Sequence, residues 1–151
     1  MSRTPYVAVV GPGDASPEEL QTAEEVGAGL AGLGAVVVTG GLGGVMEAAC
    51  RGARGEGGTT VGILPGHDRA AANPFVDVAI ATGLGEARNA LVVRSADALV
   101  AVGGGFGTLS EIALALKAGK HVVGLGGWEI DDVESAATPE QAVAAALAAL
   151  T

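Results

Sequence analysis

The chain is poor in aromatic residues and poor in basic ones. Aromatics make up 3% of its 151 residues: two Phe, one Tyr and one Trp. The core must therefore be assembled from Val, Leu, Ile and Ala, and a hydrophobic content of 49% makes that possible. Lys and Arg number 8 against 17 Asp and Glu, a formal net charge of −9. Binding to nucleic acid rests on neutralising phosphates, so an acidic chain without a basic stripe points away from nucleic acid as a partner. No run reaches the roughly 18 unbroken apolar residues of a membrane helix. The opening MSRTPYVAVVGPG has no apolar stretch of signal-peptide length. The expectation is a cytoplasmic protein with no membrane partner. Cysteine is limited to Cys50, which excludes an intramolecular disulfide. It lies in VMEAACRGA with no His near it in sequence, and reads as a small buried helix residue rather than a nucleophile.

Glycine, by contrast, is abundant at 26 residues, and it clusters at the ends of apolar runs. That is turn chemistry rather than low complexity. The length suits one domain over 1–151. One pattern recurs: a short β-branched run, a glycine turn, then an Ala/Leu-rich helix. Strands are expected at YVAVV (6–10), AVVVT (35–39), TVGIL (60–64), FVDVAI (75–80), ALVAV (98–102) and HVVGL (121–125). The first helix has a full set of start signals in SPEE: Ser16 as cap, Pro17 in the first position and Glu19 completing a capping box. It stops at Gly34. Other helices follow the turns at 40–44, near Glu86 and after 103–107, and QAVAAALAAL forms the last. PGHDRAAANP and the acidic GGWEIDDVESAATPE read as loops, with Trp128 placed either to stack on a base or to pack at a subunit interface.

Most strands are continuous apolar runs, as in a sheet buried on both faces. Alternating strands and helices build βαβ units. The expected fold is α/β, Rossmann-like and doubly wound, with a mainly parallel sheet of about six or seven strands and helices on both faces. Ligands bind such sheets at the carboxyl ends of the strands, where the glycine turns fall.

The turns differ in what they can hold. Gly11-Pro12-Gly13-Asp14-Ala15-Ser16 lacks the third glycine of a dinucleotide fingerprint, and the second strand ends VVTGG without a ribose-binding carboxylate. The only Gly-Lys pair, at 119–120, closes a helix and forms no P-loop. GGGFGTLSE (103–111) opens a helix, where free N–H groups and the dipole favour an anion. Two readings fit it. In one, Gly103, Gly104, Gly105, Gly107 and Thr108 cradle a phosphate and Glu111 does chemistry beside it. In the other, Thr108 and Glu111 are a capping box. A carboxylate so near a helix N-terminus is expected to stay ionised. The turn TGGLGGVMEA (39–48) offers a second cradle or merely close helix–strand packing. In TGLGEARNA (82–90), Arg88 and Asn89 fall in a first helical turn, where a cation is unfavourable. Arg88 therefore needs a partner: a ligand anion, Glu111, or on a purely structural reading Glu86 or Asp97.

GGGFGTLSE, TGGLGGVMEAA and ARN, in this order, resemble the LOG superfamily, and with VGILPG and ATGLGEARN the resemblance covers nearly the whole chain. That group contains nucleoside 5′-monophosphate phosphoribohydrolases and the molybdenum cofactor carrier proteins; the small bacterial carrier-like branch is the nearest in look. The hydrolase motif P-G-G-x-G-T-x-x-E is matched at Gly104, Gly105, Gly107, Thr108 and Glu111, with Gly103 in place of proline. The hydrolases' Arg-Lys pair, preceded by Met-His, is matched at Arg88 only. Asn89 replaces the lysine, and Gly85 and Glu86 stand where Met and His would be. The second turn matches at Gly40, Gly41, Gly44 and Met46, with Glu47 in place of a glycine.

The resemblance implies Glu111 and Arg88 as the catalytic pair. Gly103, Gly104, Gly105, Gly107, Thr108, Gly40, Gly41, Gly44, Met46 and Asn89, with Gly11 on the first turn, would be the phosphate and ligand contacts. The leading expectation is a nucleotide-binding protein that hydrolyses the N-glycosidic bond of a nucleoside 5′-monophosphate. Asp14 and His67 are weak candidates for the acid that protonates the leaving base. The alternative is a non-catalytic carrier of a phosphorylated ligand such as the molybdenum cofactor. Either way the partner is a small phosphorylated nucleotide or pterin. No metal site or resident cofactor is expected, and the resemblance implies a homo-oligomer, most simply a twofold dimer.

Overall fold

Short β-branched runs make the strands, and the glycine-bounded Ala/Leu segments between them make the helices. In a computed structural model, which describes residues 3–151, the elements are β1 (Tyr6–Val10), α1 (Pro17–Gly32), β2 (Val36–Thr39), α2 (Val45–Gly55), β3 (Thr60–Leu64), β4 (Val78–Ala81), α3 (Arg88–Ser95), β5 (Ala98–Val102), α4 (Phe106–Lys117), β6 (His121–Leu125), β7 (Glu134–Ser135) and α5 (Pro139–Ala148). The strands form one sheet in the order β4-β3-β2-β1-β5-β6-β7, and every neighbouring pair is parallel. This is the expected doubly wound α/β fold. The strand order reverses between β1 and β5, so the crevice for a ligand lies at the carboxyl ends of those two strands.

Side-chain alternation explains the unbroken apolar strand sequences. Val7, Val9, Val37, Val100 and Val102 face a layer made by α1, α2 and α5, through residues such as Val26, Ala49 and Val143. Ala8, Val10, Val38, Leu99 and Ala101 face the opposite layer, with Val92 and Val93 of α3 and Ile112 and Ala115 of α4. Both faces are covered, so polar residues are excluded from both. Helices α1 and α2 meet almost backbone to backbone: a Cβ on Gly52 would lie 2.0 Å from the Glu24 carbonyl oxygen, and one on Gly27 would lie 2.1 Å from that of Ala49. The capping box of α1 is present, with the Glu19 amide donating to Ser16 Oγ at 3.1 Å and the Ser16 amide to Glu19 Oε1 at 2.9 Å. Cys50 is fully buried, and burial raises its thiol pKa.

Three boundaries differ from expectation. FVDVAI reads as a strand from residue 75, but pairing begins only at Val78. Ahead of it, side chains supplement a single backbone bond: the Asp77 amide donates to the Thr60 carbonyl at 3.2 Å, Thr60 Oγ1 donates to the Phe75 carbonyl, and the Asp77 carboxylate accepts from the Thr60 amide. In the acidic loop, Glu134 and Ser135 form the edge strand β7 against Val123 and Gly124, an exposed pair without apolar periodicity. The start of α4 is the third difference and shapes the site. Among the described residues, no helix is long and apolar enough to cross a membrane.

Candidate functional site

After β5, the chain turns through Gly103-Gly104-Gly105 and enters α4 at Phe106. Gly105 takes the cap position with φ 96°, a conformation that side-chain-bearing residues avoid. Thr108 is therefore the third residue of the helix, not its cap, and no side chain caps the first turn. The capping-box reading of Thr108 and Glu111 is overturned. The amides of the first turn of an α-helix have no partner within the helix, so this uncapped N-terminus presents donors and a positive dipole end to the crevice.

That crevice is a cavity of about 320 Å³ lined by turns from four strands: Val10 to Gly13 after β1, Gly40 and Met46 after β2, Arg88 and Asn89 after β4, and Gly105, Phe106, Gly107, Thr108 and Glu111 after β5. Gly40 is needed for contact: a Cβ there would lie 2.8 Å from an Arg88 guanidinium nitrogen. The missing side chain lets the arginine come close to the second turn. The sequence-derived residues Gly11, Gly40, Met46, Arg88, Asn89, Gly105, Gly107, Thr108 and Glu111 are thus brought together. Gly103, Gly104, Gly41 and Gly44 are not on the cavity wall. Gly103 donates its amide to the Leu125 carbonyl at 3.1 Å, and the Gly41 carbonyl accepts from the Asn73 amide at 2.9 Å. Gly44 borders a neighbouring hollow with Asp14. His67 packs against Gly83 instead. Neither of the acid candidates therefore reaches the cavity.

Among the described residues, Arg88 and Glu111 are the only charged ones on the wall. They do not close onto each other as an ion pair. Arg88 donates instead to Asn89 Oδ1, and the buried Arg88 Nε has no hydrogen-bond partner. Nor does Arg88 use its structural alternatives: Asp97 takes the Tyr6 amide at 2.9 Å and pairs with Arg3. Asn89, at 7% exposure, is the arginine's tether.

Glu111 is 8% exposed. Burial pushes its carboxyl up to about 7, with the positive charge of Arg88 opposing only part of that shift. The expected ionised carboxylate is corrected: Glu111 lies beyond the first turn of α4, and desolvation outweighs charge attraction there. Burial likewise lowers Arg88, with Glu111 opposing, yet a guanidinium stays protonated at neutral pH. The cavity thus holds one fixed positive charge and one carboxyl near half-protonation at pH 7.

Sequence reasoning missed Val10, Pro12, Gly13 and Phe106 as wall residues. Phe106 was the unassigned position inside GGGFGTLSE, and its signal was an aromatic in a chain with so few. Trp128 lies at the rim: its indole Nε1 donates to the Gly105 carbonyl at 2.8 Å, and its ring centroid is 6.0 Å from that of Phe106. Among the described residues, no cluster of His, Cys, Asp and Glu is placed to hold a metal ion.

Comparison with known proteins fits this architecture. The structure of the molybdenum cofactor binding protein from the phototrophic bacterium Rippkaea orientalis is similar over 100% of both chains, with TM-score 0.94 and 39% identity. The molybdenum cofactor carrier protein of Chlamydomonas reinhardtii is similar over 97% of this chain and 98% of its own, with TM-score 0.89 and 41% identity. A protein of uncharacterised function from Archaeoglobus fulgidus is 47% identical over 138 residues, 91% of each chain. The model of the SLOG cluster4 family matches residues 4–149. With that match spanning nearly all of the sequence, the chain belongs to the SLOG cluster4 family, within the LOG-like group it resembles by motif.

Proposed function

We propose that this protein binds and carries a small phosphorylated ligand of pterin type, such as the molybdenum cofactor, without cleaving it. The observation that carries the reading is the uncapped N-terminus of α4 facing a guanidinium whose Nε is unpartnered. That is a built receptor for a phosphate. The relatives named for the molybdenum cofactor match over essentially their whole length, which favours a pterin over a nucleotide. Hydrolysis of an N-glycosidic bond asks for more than a phosphate grip. It needs a group to protonate the leaving base and another to activate water. Neither Asp14 nor His67 lies on the wall, and Arg88 is tethered to Asn89. Glu111 is left as the lone titratable acid.

The test has two arms. Native mass spectrometry of protein purified without oxygen is expected to show a retained pterin-sized mass. Incubation with a panel of nucleoside 5′-monophosphates is expected to release no free base. Base release that disappears in Glu111→Gln would establish the phosphoribohydrolase reading instead.

The carrier reading includes a homodimer. Val78 and Ile80 of β4 are exposed although they sit in register with Val61 and Ile63, which belong to the covered α3/α4 face. Leu84 and Leu91 are exposed nearby in sequence. A second copy related by a twofold axis would cover this apolar edge. Light scattering is expected to give twice the chain mass, falling to one chain mass in Ile80→Glu/Leu84→Glu; a monomeric native protein would contradict it.

A further inference from the structure

The cavity grips one end of a ligand; its mouth has a different chemistry. Phe106 is the first residue of α4 and lies on the cavity wall, yet it is 83% exposed. Its one aromatic neighbour is Trp128, at 6.0 Å between centroids and 36° between planes. Trp128 is itself fixed. Its indole donates to the Gly105 carbonyl at 2.8 Å, and its ring packs on the apolar layer shared by α3 and α4. The chain reaches it through Gly127, whose Cα sits so close to Gly103 that a Cβ would lie 2.0 Å from the Gly103 carbonyl oxygen. The Trp128 loop is therefore fastened to the same turn that makes the phosphate cradle.

Scarcity sharpens the placement. The chain has one Trp and two Phe, and the Trp and one Phe stand together at this rim. A lone exposed apolar residue needs no explanation. An exposed phenyl directly beside free helix amides, backed by the only indole, is a different arrangement. The cavity, at about 320 Å³, is at the small end of the roughly 300–1,000 Å³ range of ligand sites. That volume has room for a phosphate, its linker and part of an attached planar ring, and Phe106 is the aromatic residue on the wall beside that ring.

We infer that Phe106, braced by Trp128, is the platform on which the planar heterocycle of the phosphorylated ligand stacks. This rests on the phosphate-binding reading above and deepens it by assigning the ring-recognition residue. Stacking is tolerant of ring identity because every heteroaromatic ring has a π face. The platform therefore selects ring-bearing over ring-free phosphates, and leaves discrimination among rings to polar groups.

Trp128 is the only tryptophan, so its emission reports on the rim. The experiment titrates the full chain with three probes: ribose 5-phosphate, GMP and a pterin-6-methyl phosphate. In the native protein, the ring-bearing probes are expected to bind about 10- to 100-fold tighter than ribose 5-phosphate, and only they should quench Trp128. In Phe106→Ala, affinity for the ring-bearing probes is expected to fall by about 10-fold or more while that for ribose 5-phosphate stays within about twofold. Phe106→Tyr should restore it. Equal loss for all three probes, or no loss for any, overturns the platform and leaves the cradle standing. A Phe106→Ala protein with altered oligomeric mass also overturns it, by placing the ring under a second copy. A native protein that binds none of the three overturns the phosphate-binding reading itself.

Discussion

Glu111 has one charged neighbour on the cavity wall and little water. Its carboxyl is raised from 4.5 to about 7 by burial, so folding favours the protonated form. Below pH 4.5, folded and unfolded chains both carry the proton, and this contribution to stability is fully present. As pH rises through the folded value it is lost, because the unfolded chain ionises more easily. The loss is of the order of 3 kcal/mol once complete. Thermal melts of the ligand-free protein are expected to show Tm falling between about pH 5 and 7.5. In Glu111→Gln that component of the fall should vanish, with a higher Tm than native at pH 8. Identical pH profiles would contradict the assignment. The residue types on the wall were legible in the sequence because glycine, threonine, arginine and glutamate fell on turns that the fold brings together. The protonation state was not, since it depends on burial that no local pattern encodes. Asn89 is similar: as a departure from a motif it marked the arginine, but only the structure shows its oxygen accepting from Arg88.

At the scale of elements, capping and turn chemistry were readable where the signal is local. Ser16, Pro17 and Glu19 do what their spacing predicts. The start of α4 was misread because Thr108 and Glu111 have capping-box spacing, whereas Gly105, with its positive φ, ends the turn three residues earlier. The start of β4 and the existence of β7 escaped for opposite reasons. The first looked longer because the Phe75 carbonyl is held by the Thr60 side chain and Asp77 shares its amide between the Thr60 carbonyl and hydroxyl, and the second has no apolar pattern at all. The contact between α1 and α2 was also invisible, since a glycine inside a helix does not announce its neighbour. Gly52→Val is expected to force the helices apart, at a cost of about 1–3 kcal/mol or more, measured as a lower urea midpoint. Val in place of exposed Gly32, where a Cβ meets nothing within 4 Å, should cost roughly a few tenths or less by the same route, since it meets no steric limit. Equal losses at the two sites would show that close packing is not what fixes Gly52.

Across the whole molecule, the chain is acidic while the fixed charge of the cavity beside β1 and β5 is positive. A net charge of −9 disfavours anions at long range, so affinity must come from the few donors inside. On the proposed carrier reading, Arg88 and the α4 amides are that set, and phosphate is the feature of the ligand they read. The most direct measurement is calorimetric titration with a pterin bearing a phosphate and with the same pterin lacking it, in the native protein and in Arg88→Ala. The phosphorylated pterin is expected to bind at least about tenfold tighter than the bare one, a preference worth the roughly 1.5–3 kcal/mol of charge-assisted hydrogen bonds, and Arg88→Ala should erase most of it. Equal affinity for the two pterins, or a preference untouched by Arg88→Ala, would contradict the account.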